Sequence, residues 1–172
     1  MNIVIFSRAI RSGKTTELQH WLIAQKKVAG ILMPDINGSR KIWDIDTQNV
    51  FDIECINPQS NTESLINIGR FYFYTHAFEQ ANKILLSALL SKPCWLVIDE
   101  VGKLELADNG FYDALQQIIA VYHQPNAVGK LLLVVRDTLL EAVVQKFNLP
   151  QTNYIVVNTL DTLNEFNKQS IE

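Results

Sequence analysis

The sequence is poor in the residues that build metal and disulfide frameworks. It contains two cysteines and three histidines in 172 residues, and Cys55 and Cys94 are too far apart to form a Cys-x-x-Cys pair. Structural zinc sites and small disulfide-linked domains need several such residues at close spacing. The sequence therefore argues against both classes, and we expect the two cysteines to pack in the core.

The sequence also lacks an excess of positive charge and a long apolar run. The 15 lysines and arginines are outnumbered by 18 acidic residues, which gives a net charge of −3. A nucleic-acid footprint needs a basic face, so we expect no nucleic-acid partner. No run approaches the roughly 20 apolar residues of a membrane helix. No signal peptide is recognised before the first predicted strand, so we expect a cytoplasmic protein without a membrane partner.

What the chain does contain is a repeated alternation of apolar runs and amphipathic segments. With 172 residues, of which 48% are hydrophobic, we expect one domain spanning residues 1–172. Five runs are apolar on both faces, as strands of a parallel sheet are: residues 2–6, 28–33, 94–98, 130–135 and 154–157. Segments with helical periodicity lie between these runs. This predicts an α/β, doubly wound, mostly parallel sheet with helices on both faces.

A different pattern interrupts this alternation at residues 34–55. Asn37-Gly38 marks a tight turn, and residues 50–55 alternate between apolar and acidic side chains. Such alternation indicates a strand with one solvated face, so we predict an added antiparallel hairpin here. The polar stretch 56–69 that follows is predicted to be a loop.

The first strand leads into a candidate phosphate-binding loop. Strand, loop, Gly-Lys-Thr and helix follow one another in the order of a P-loop, whose backbone N–H groups form a nest for phosphate oxygens. The new helix adds its unpaired N–H groups and the positive end of its dipole. A lysine adds a full charge, and the hydroxyl beside it supplies an Mg²⁺ ligand. The candidate nucleotide-binding residues are Arg8, Arg11, Ser12, Gly13, Lys14, Thr15 and Thr16.

Two arginines stand where this loop pattern expects glycine. Arg8 occupies the first position of the pattern, and Arg11 lies two residues before Gly13. If either position needs a left-handed backbone, a residue other than glycine costs roughly 1–2 kcal/mol there. Three positions remain open for the side chains of these arginines: contact with the phosphates, exposure to solvent, or folding over an empty site.

A second motif is expected to lie at the same edge of the sheet. The strand at 94–98 runs directly into Asp99-Glu100, and the carboxyl ends of parallel strands form the ligand-binding edge of such sheets. Asp99, together with Thr15, would hold Mg²⁺. Glu100 would orient and deprotonate an attacking water.

The segment that begins at Asp99 resembles a specific family signature. Every position of an Asp-Glu-apolar-Gly-Lys-apolar-Glu-Leu block is met by Asp99-Glu100-Val101-Gly102-Lys103-Leu104-Glu105-Leu106. This block is similar to that of the small thermophilic-type, or cancer-related, nucleoside-triphosphatases. The layout of nearly the whole chain is similar too, with Gly-Lys-Thr-Thr at the first helix and Gly69-Arg70-Phe71 where that family has Gly-x-Tyr.

The resemblance implies Mg²⁺-dependent hydrolysis of ATP, GTP and other nucleoside triphosphates to diphosphates. It also implies a P-loop sheet of the additional-strand, catalytic-glutamate type. One departure concerns base recognition, because the Asn-Arg pair that the family tends to have before its last helix is not found here, and Thr162-Leu163 stands near that place.

The sequence therefore predicts a nucleoside-triphosphatase in which Lys14 and Glu100 are catalytic. A small-molecule kinase, and a non-catalytic nucleotide- or partner-binding module with a degenerate loop, remain alternatives. Protein partners are left open. Arg70 is a further candidate for phosphate contact, with an ion pair as the alternative, and Arg136 is a candidate for contact with phosphate or base. For Lys103 and Glu105 we expect a salt bridge that shapes the loop after Glu100.

Overall fold

The structure, a computed structural model, describes residues 1–166, and this part of the chain forms ten strands and six α-helices. The strands are β1 (Ile3–Arg8), β2 (Val28–Leu32), β3 (Asp35–Ile36), β4 (Ser39–Asp44), β5 (Val50–Asp52), β6 (Leu65–Ile68), β7 (Phe71–Tyr74), β8 (Trp95–Val101), β9 (Lys130–Arg136) and β10 (Tyr154–Val157). The helices are α1 (Lys14–Ile23), α2 (Thr75–Leu90), α3 (Lys103–Leu106), α4 (Tyr112–Tyr122), α5 (Leu140–Lys146) and α6 (Asp161–Phe166). Within residues 1–166, none of these helices is both long and apolar enough to cross a membrane.

The main sheet is parallel in its centre and antiparallel at one edge, as predicted. Its order is β10-β1-β9-β8-β2-β4-β3, and β5 pairs with β4. The first five strands of this order are parallel, whereas β4 runs antiparallel to β2. Strand β9 lies between β1 and β8. The P-loop strand and the Asp-Glu strand are therefore separated by one strand, which is the additional-strand arrangement that the resemblance implied.

Helices cover both faces of this sheet, which confirms the doubly wound prediction. On β1, Ile3 and Ile5 belong to one buried cluster while Val4 and Phe6 belong to the other. Residues of α2, α4 and α5 pack in the first cluster, and residues of α1 and α6 pack in the second. Strands that are apolar on both faces are therefore buried on both faces, and the loops at their ends are free to form a site.

Two local predictions are wrong. Residues 56–69 are not all loop, because β6 pairs antiparallel with β7 as a separate hairpin. The short apolar stretch of β6 is surrounded by polar residues, and only its pairing with β7 makes it a strand. Cys55 is buried, as predicted, but Cys94 is exposed. Cys94 precedes the first residue of β8 and so lies outside the buried strand.

Gly30 is the point of closest approach between β2 and its neighbour β8. A Cβ atom at Gly30 would lie 2.0 Å from the carbonyl oxygen of Val97, and the backbone φ is +120°. We predict that Gly30→Ala lowers the free energy of unfolding by about 3 kcal/mol or more, because the clash is with backbone that cannot move aside. Urea denaturation measures this.

Gly69→Ala is the matched control for this prediction. Gly69 also has a positive φ, of +60°, but a Cβ there would meet nothing within 4 Å. Its expected cost is about 1–2 kcal/mol, from the left-handed backbone alone. Equal losses in the two variants would contradict the role assigned to the contact between Gly30 and Val97.

Candidate functional site

A cleft of ≈ 630 Å³ opens at the carboxyl edge of the parallel strands. The loop between β1 and α1 forms one side of it, and residues 33–40 form another. Glu100 at the end of β8 and Arg136 at the end of β9 also line the cleft. Residues that lie far apart in the sequence are therefore collected at one edge, because the carboxyl ends of parallel strands point the same way.

The loop before α1 turns through two residues with a left-handed backbone. Gly13 is the N-cap of α1 with φ 80°, and Arg11 has φ 58°. Arg8 is not among the residues with positive φ. Of the two positions where glycine was expected, only position 11 therefore demands a left-handed backbone. Arg11 adopts that conformation at a cost of roughly 1–2 kcal/mol.

The side chain of Arg8 is engaged away from the cleft. Its Nη1 lies 2.8 Å from Glu17 Oε2, and its Nη2 donates to the carbonyl oxygen of Ser12 at 3.1 Å. The guanidinium also lies over the ring of Phe6, 5.0 Å from its centroid. Arg8 lines a separate cavity formed with α1 and Asp161. It braces the loop from outside, whereas Arg11, Ser12, Gly13, Lys14, Thr15 and Thr16 line the cleft.

Lys14 reaches across the loop from the first turn of α1. Its Nζ donates to the carbonyl oxygens of Arg8 at 3.0 Å and Ala9 at 2.8 Å. The side chain is 8% exposed, and burial lowers the pKa of Lys14, partly offset by the charge of Glu100. An ammonium group has three N–H donors, so one remains for an anion in the cleft.

Asp99 is hydrogen-bonded to Thr15, which lines the cleft, but Asp99 itself is buried and is not a lining residue. The Thr15 hydroxyl donates to Asp99 Oδ2 at 3.0 Å, and the Met33 N–H donates to the same oxygen at 3.1 Å. The side chain is fully buried, and Oδ1 has no hydrogen-bond partner in the described part of the chain. Burial, reinforced by the nearby Glu100, raises the pKa of Asp99 to about 6. A buried carboxylate oxygen without a partner, beside a hydroxyl, could hold a hard cation such as Mg²⁺.

Glu100 lies in an irregular part of β8 with a strained backbone. The register between β8 and β9 shifts between Ile98 and Val101, and Glu100 has φ 62°. Such outliers cluster at functional sites because they turn a side chain out of the regular sheet. The carboxylate is partly exposed in the cleft.

Two arginines hold the Glu100 carboxylate. Arg40 from β4 forms an ion pair with it, and Arg136 Nη2 lies 3.5 Å from the same oxygen. Arg40 is itself positioned by Glu54, whose Oε2 accepts its backbone N–H at 2.9 Å. Arg136 was expected at this edge of the sheet, but Arg40 was missed. No motif surrounds Arg40 in the sequence, and only the pairing of β4 with β2 brings it to the cleft.

Glu105 shapes the loop after Glu100, but not by the salt bridge that was predicted. Within residues 1–166, neither Lys103 nor Glu105 forms an ion pair, and the Glu105 side chain is buried. Its two oxygens instead accept the backbone N–H groups of Gly102 at 2.8 Å and Phe111 at 3.0 Å. Burial raises the pKa of Glu105 despite these bonds. The carboxylate thus caps α3 and ties it to the start of α4.

A phosphate-binding loop and an Asp-Glu pair at one sheet edge define the class of P-loop nucleotide-binding proteins. Residues 4–169 match the model of a family described as NTPase, and the chain belongs to this family. That membership supports hydrolysis of nucleoside triphosphates in general. A search of curated proteins by sequence gave no match.

Two solved structures are similar to the fold over its whole length. The crystal structure of THEP1 from the hyperthermophile Aquifex aeolicus has a TM-score of 0.70 and 18% sequence identity, covering 98% of this chain and 96% of that one. The solution structure of a human cancer-related nucleoside triphosphatase has a TM-score of 0.70 and 18% identity, covering 100% of both chains. At such identities the likeness concerns the fold.

We predict that Glu105→Ala lowers the free energy of unfolding by about 2–4 kcal/mol, because it leaves two backbone N–H groups unpaired next to the core. Urea denaturation again provides the measurement. Glu79→Ala is the matched control, since Glu79 is exposed on α2, and its effect should stay within about 0.5 kcal/mol. A Glu105→Ala protein as stable as this control would refute the capping role.

Proposed function

We propose that this protein hydrolyses nucleoside 5′-triphosphates, ATP and GTP among them, to diphosphate and phosphate with the help of Mg²⁺. The observation that carries the proposal is the hydrogen bond from Thr15, which lines the cleft together with Lys14 and Glu100, to the buried Asp99. The membership of the chain in the NTPase family supports it independently.

The phosphates are bound by the loop and the first turn of α1. Lys14 directs its free N–H and its charge at the β- and γ-phosphates, while backbone N–H groups of the loop donate to their oxygens. The positive end of the α1 dipole adds to this attraction. Arg11 lines the same cleft with an exposed side chain, so its charge adds to the positive field.

Thr15 and Asp99 are the residues that hold Mg²⁺. The orphaned Oδ1 of Asp99 and the hydroxyl of Thr15 are hard oxygen donors, as this ion requires. When bound, Mg²⁺ neutralises charge on the phosphate oxygens. Thr15 and Asp99 are already in contact, so the two ligands lie side by side.

Glu100 is the general base. A water molecule attacks the γ-phosphorus, the bond from that phosphorus to the β–γ bridging oxygen breaks, and Glu100 accepts the water proton. In the structure its carboxylate is held by Arg40 and Arg136, which both line the cleft. Phosphate oxygens compete for these guanidinium groups, so substrate binding frees Glu100 and places two positive charges near the γ-phosphate.

Replacement of the base should separate binding from hydrolysis. We predict that Glu100→Gln lowers kcat by roughly 10²–10⁴-fold, because the amide cannot accept the proton. Nucleotide affinity should change little. Phosphate release and calorimetric titration measure the two quantities.

Glu54→Gln is the matched control for this variant. Glu54 lines the same cleft, and glutamine keeps an oxygen that accepts the Arg40 N–H. Its kcat should stay within about fivefold of the wild type. A Glu100→Gln protein that turned over like the wild type would remove Glu100 from the mechanism.

Loss of a ligand pair should abolish the effect of Mg²⁺ on binding. Mg²⁺ should increase the affinity of the wild type for a non-hydrolysable ATP analogue. We predict that this increase is at least about tenfold smaller in the Thr15→Ala, Asp99→Asn double variant. Titrations with and without the ion measure this, and Asp113→Asn, on the exposed side of α4, is the control. An undiminished Mg²⁺ effect would rule out these ligands.

Product analysis distinguishes this function from the alternatives. Phosphate released without an acceptor supports hydrolysis, whereas a requirement for an acceptor would identify a kinase. If the non-hydrolysable analogue fails to bind at millimolar concentration, both enzymatic functions are wrong. Cytoplasmic localisation and the lack of a nucleic-acid partner stay predictions from composition.

A further inference from the structure

A second cavity lies beside the nucleotide cleft, and the proposed mechanism makes no use of it. Its volume is ≈ 270 Å³. Seven residues line both this cavity and the cleft: Met33, Arg40, Glu54, Arg70, Phe71, Glu100 and Arg136. The other walls come from the β6–β7 hairpin, from α2 and from the segment at residues 103–111. Glu100 is therefore one of several residues along which two cavities adjoin, and of the two the cleft alone contains the P-loop.

Four phenylalanines form an aromatic wall of this second cavity: Phe71, Phe73, Phe78 and Phe111. The rings of Phe71 and Phe73 are stacked with centroids 6.3 Å apart. Phe73 then contacts Phe78 at 6.0 Å, and Phe78 contacts Phe111 at 5.3 Å, both edge to face. Ile68 of β6 lines the cavity as well. Such a surface favours a flat apolar body, since aromatic rings stack on one another with offset or edge contacts.

Cationic side chains outnumber acidic ones by one around the cavity, with Arg40, Arg70, Lys103 and Arg136 against Glu54, Glu100 and Glu105. Arg70 and Lys103 line the cavity and are exposed. In the part of the chain that the structure describes, neither has an acidic partner, and Arg70 lies over the ring of Phe71. Arg40 and Arg136 share the single carboxylate of Glu100. An anionic group at the rim would thus meet cations that lack ion-pair partners.

We propose that this cavity is a binding site for a second small molecule, an aromatic anion of one or two rings. The rings of the ligand pack against the phenylalanines, and its anionic group pairs with Arg70 and Lys103. Apolar walls combined with polar groups at fixed positions are the usual means of orienting a small ligand. The ligand would lie against Glu100, beside the centre at which the triphosphate is cleaved. The site does not depend on that reaction and holds even if the chain has no catalytic activity.

Calorimetric titration of the full chain with 2-naphthoate tests the proposal. The wild type should bind this probe, and the neutral 2-naphthamide should bind at least tenfold more weakly. The Arg70→Gln, Lys103→Gln double variant should bind 2-naphthoate at least tenfold more weakly, because both ion pairs are lost. Ile68→Ser, which removes an apolar wall outside the buried core clusters, should weaken binding at least threefold.

Two control variants test whether 2-naphthoate binds in this cavity. Lys26→Gln removes an exposed charge far from the cavity and should leave the affinity unchanged. Lys14→Ala disables the phosphate site, so it should abolish binding of the ATP analogue and leave 2-naphthoate bound. Thermal unfolding checks that each variant folds.

Any one of three results would overturn the proposal. These are no binding of 2-naphthoate up to millimolar concentration, an unchanged affinity in the Arg70→Gln, Lys103→Gln protein, or loss of binding in the Lys14→Ala protein. Because the probe is read without hydrolysis, failure here is distinct from failure of the nucleoside-triphosphatase proposal.

Discussion

The completely buried carboxylate of Asp99 is the constraint around which the functional edge is built. Thr15 and Asp99 are 84 residues apart in the chain, and the Thr15 hydroxyl bonds to Asp99 at 3.0 Å. The Met33 N–H bonds to the same oxygen. One side chain thus joins the start of α1, the end of β2 and the end of β8. A buried carboxylate needs such partners, because burial without them costs several kcal/mol.

Two of the non-glycine residues with a positive φ lie in or near the elements that Asp99 joins. Glu100 follows it with a left-handed φ, and Arg11 has one in the loop opposite. Neither is glycine, so each conformation costs free energy that the surrounding contacts must offset. For Glu100 the contacts are the ion pairs with Arg40 and Arg136. For the loop that contains Arg11, the contacts are the bonds of Arg8 to Glu17 and Ser12. Arg8 thus helps to stabilise a loop conformation that glycine at position 11 would adopt without strain.

Charge is distributed unevenly about Glu100. Two arginines share its carboxylate, while Arg70 and Lys103 stand on the rim of the adjoining aromatic cavity. Glu100 is thus one of the residues shared by the P-loop cleft and the cavity beside it.

The sequence by itself determined the parallel sheet, the added hairpin and the central residues of the candidate site. Apolar runs specify buried strands, and Gly13-Lys14-Thr15 and Asp99-Glu100 lie directly at strand ends, so local pattern was enough. Only the tertiary structure decided the direction of Arg8, the ion pair of Arg40 with Glu100, the capping by Glu105 and the pairing of β6 with β7. Each of these depends on a partner that is distant in sequence or on a backbone angle. Neither a distant partner nor a backbone angle produces a periodic pattern in the sequence. The sequence therefore shows only that glycines are missing from the loop before α1, whereas the structure shows that Arg8 stabilises this loop.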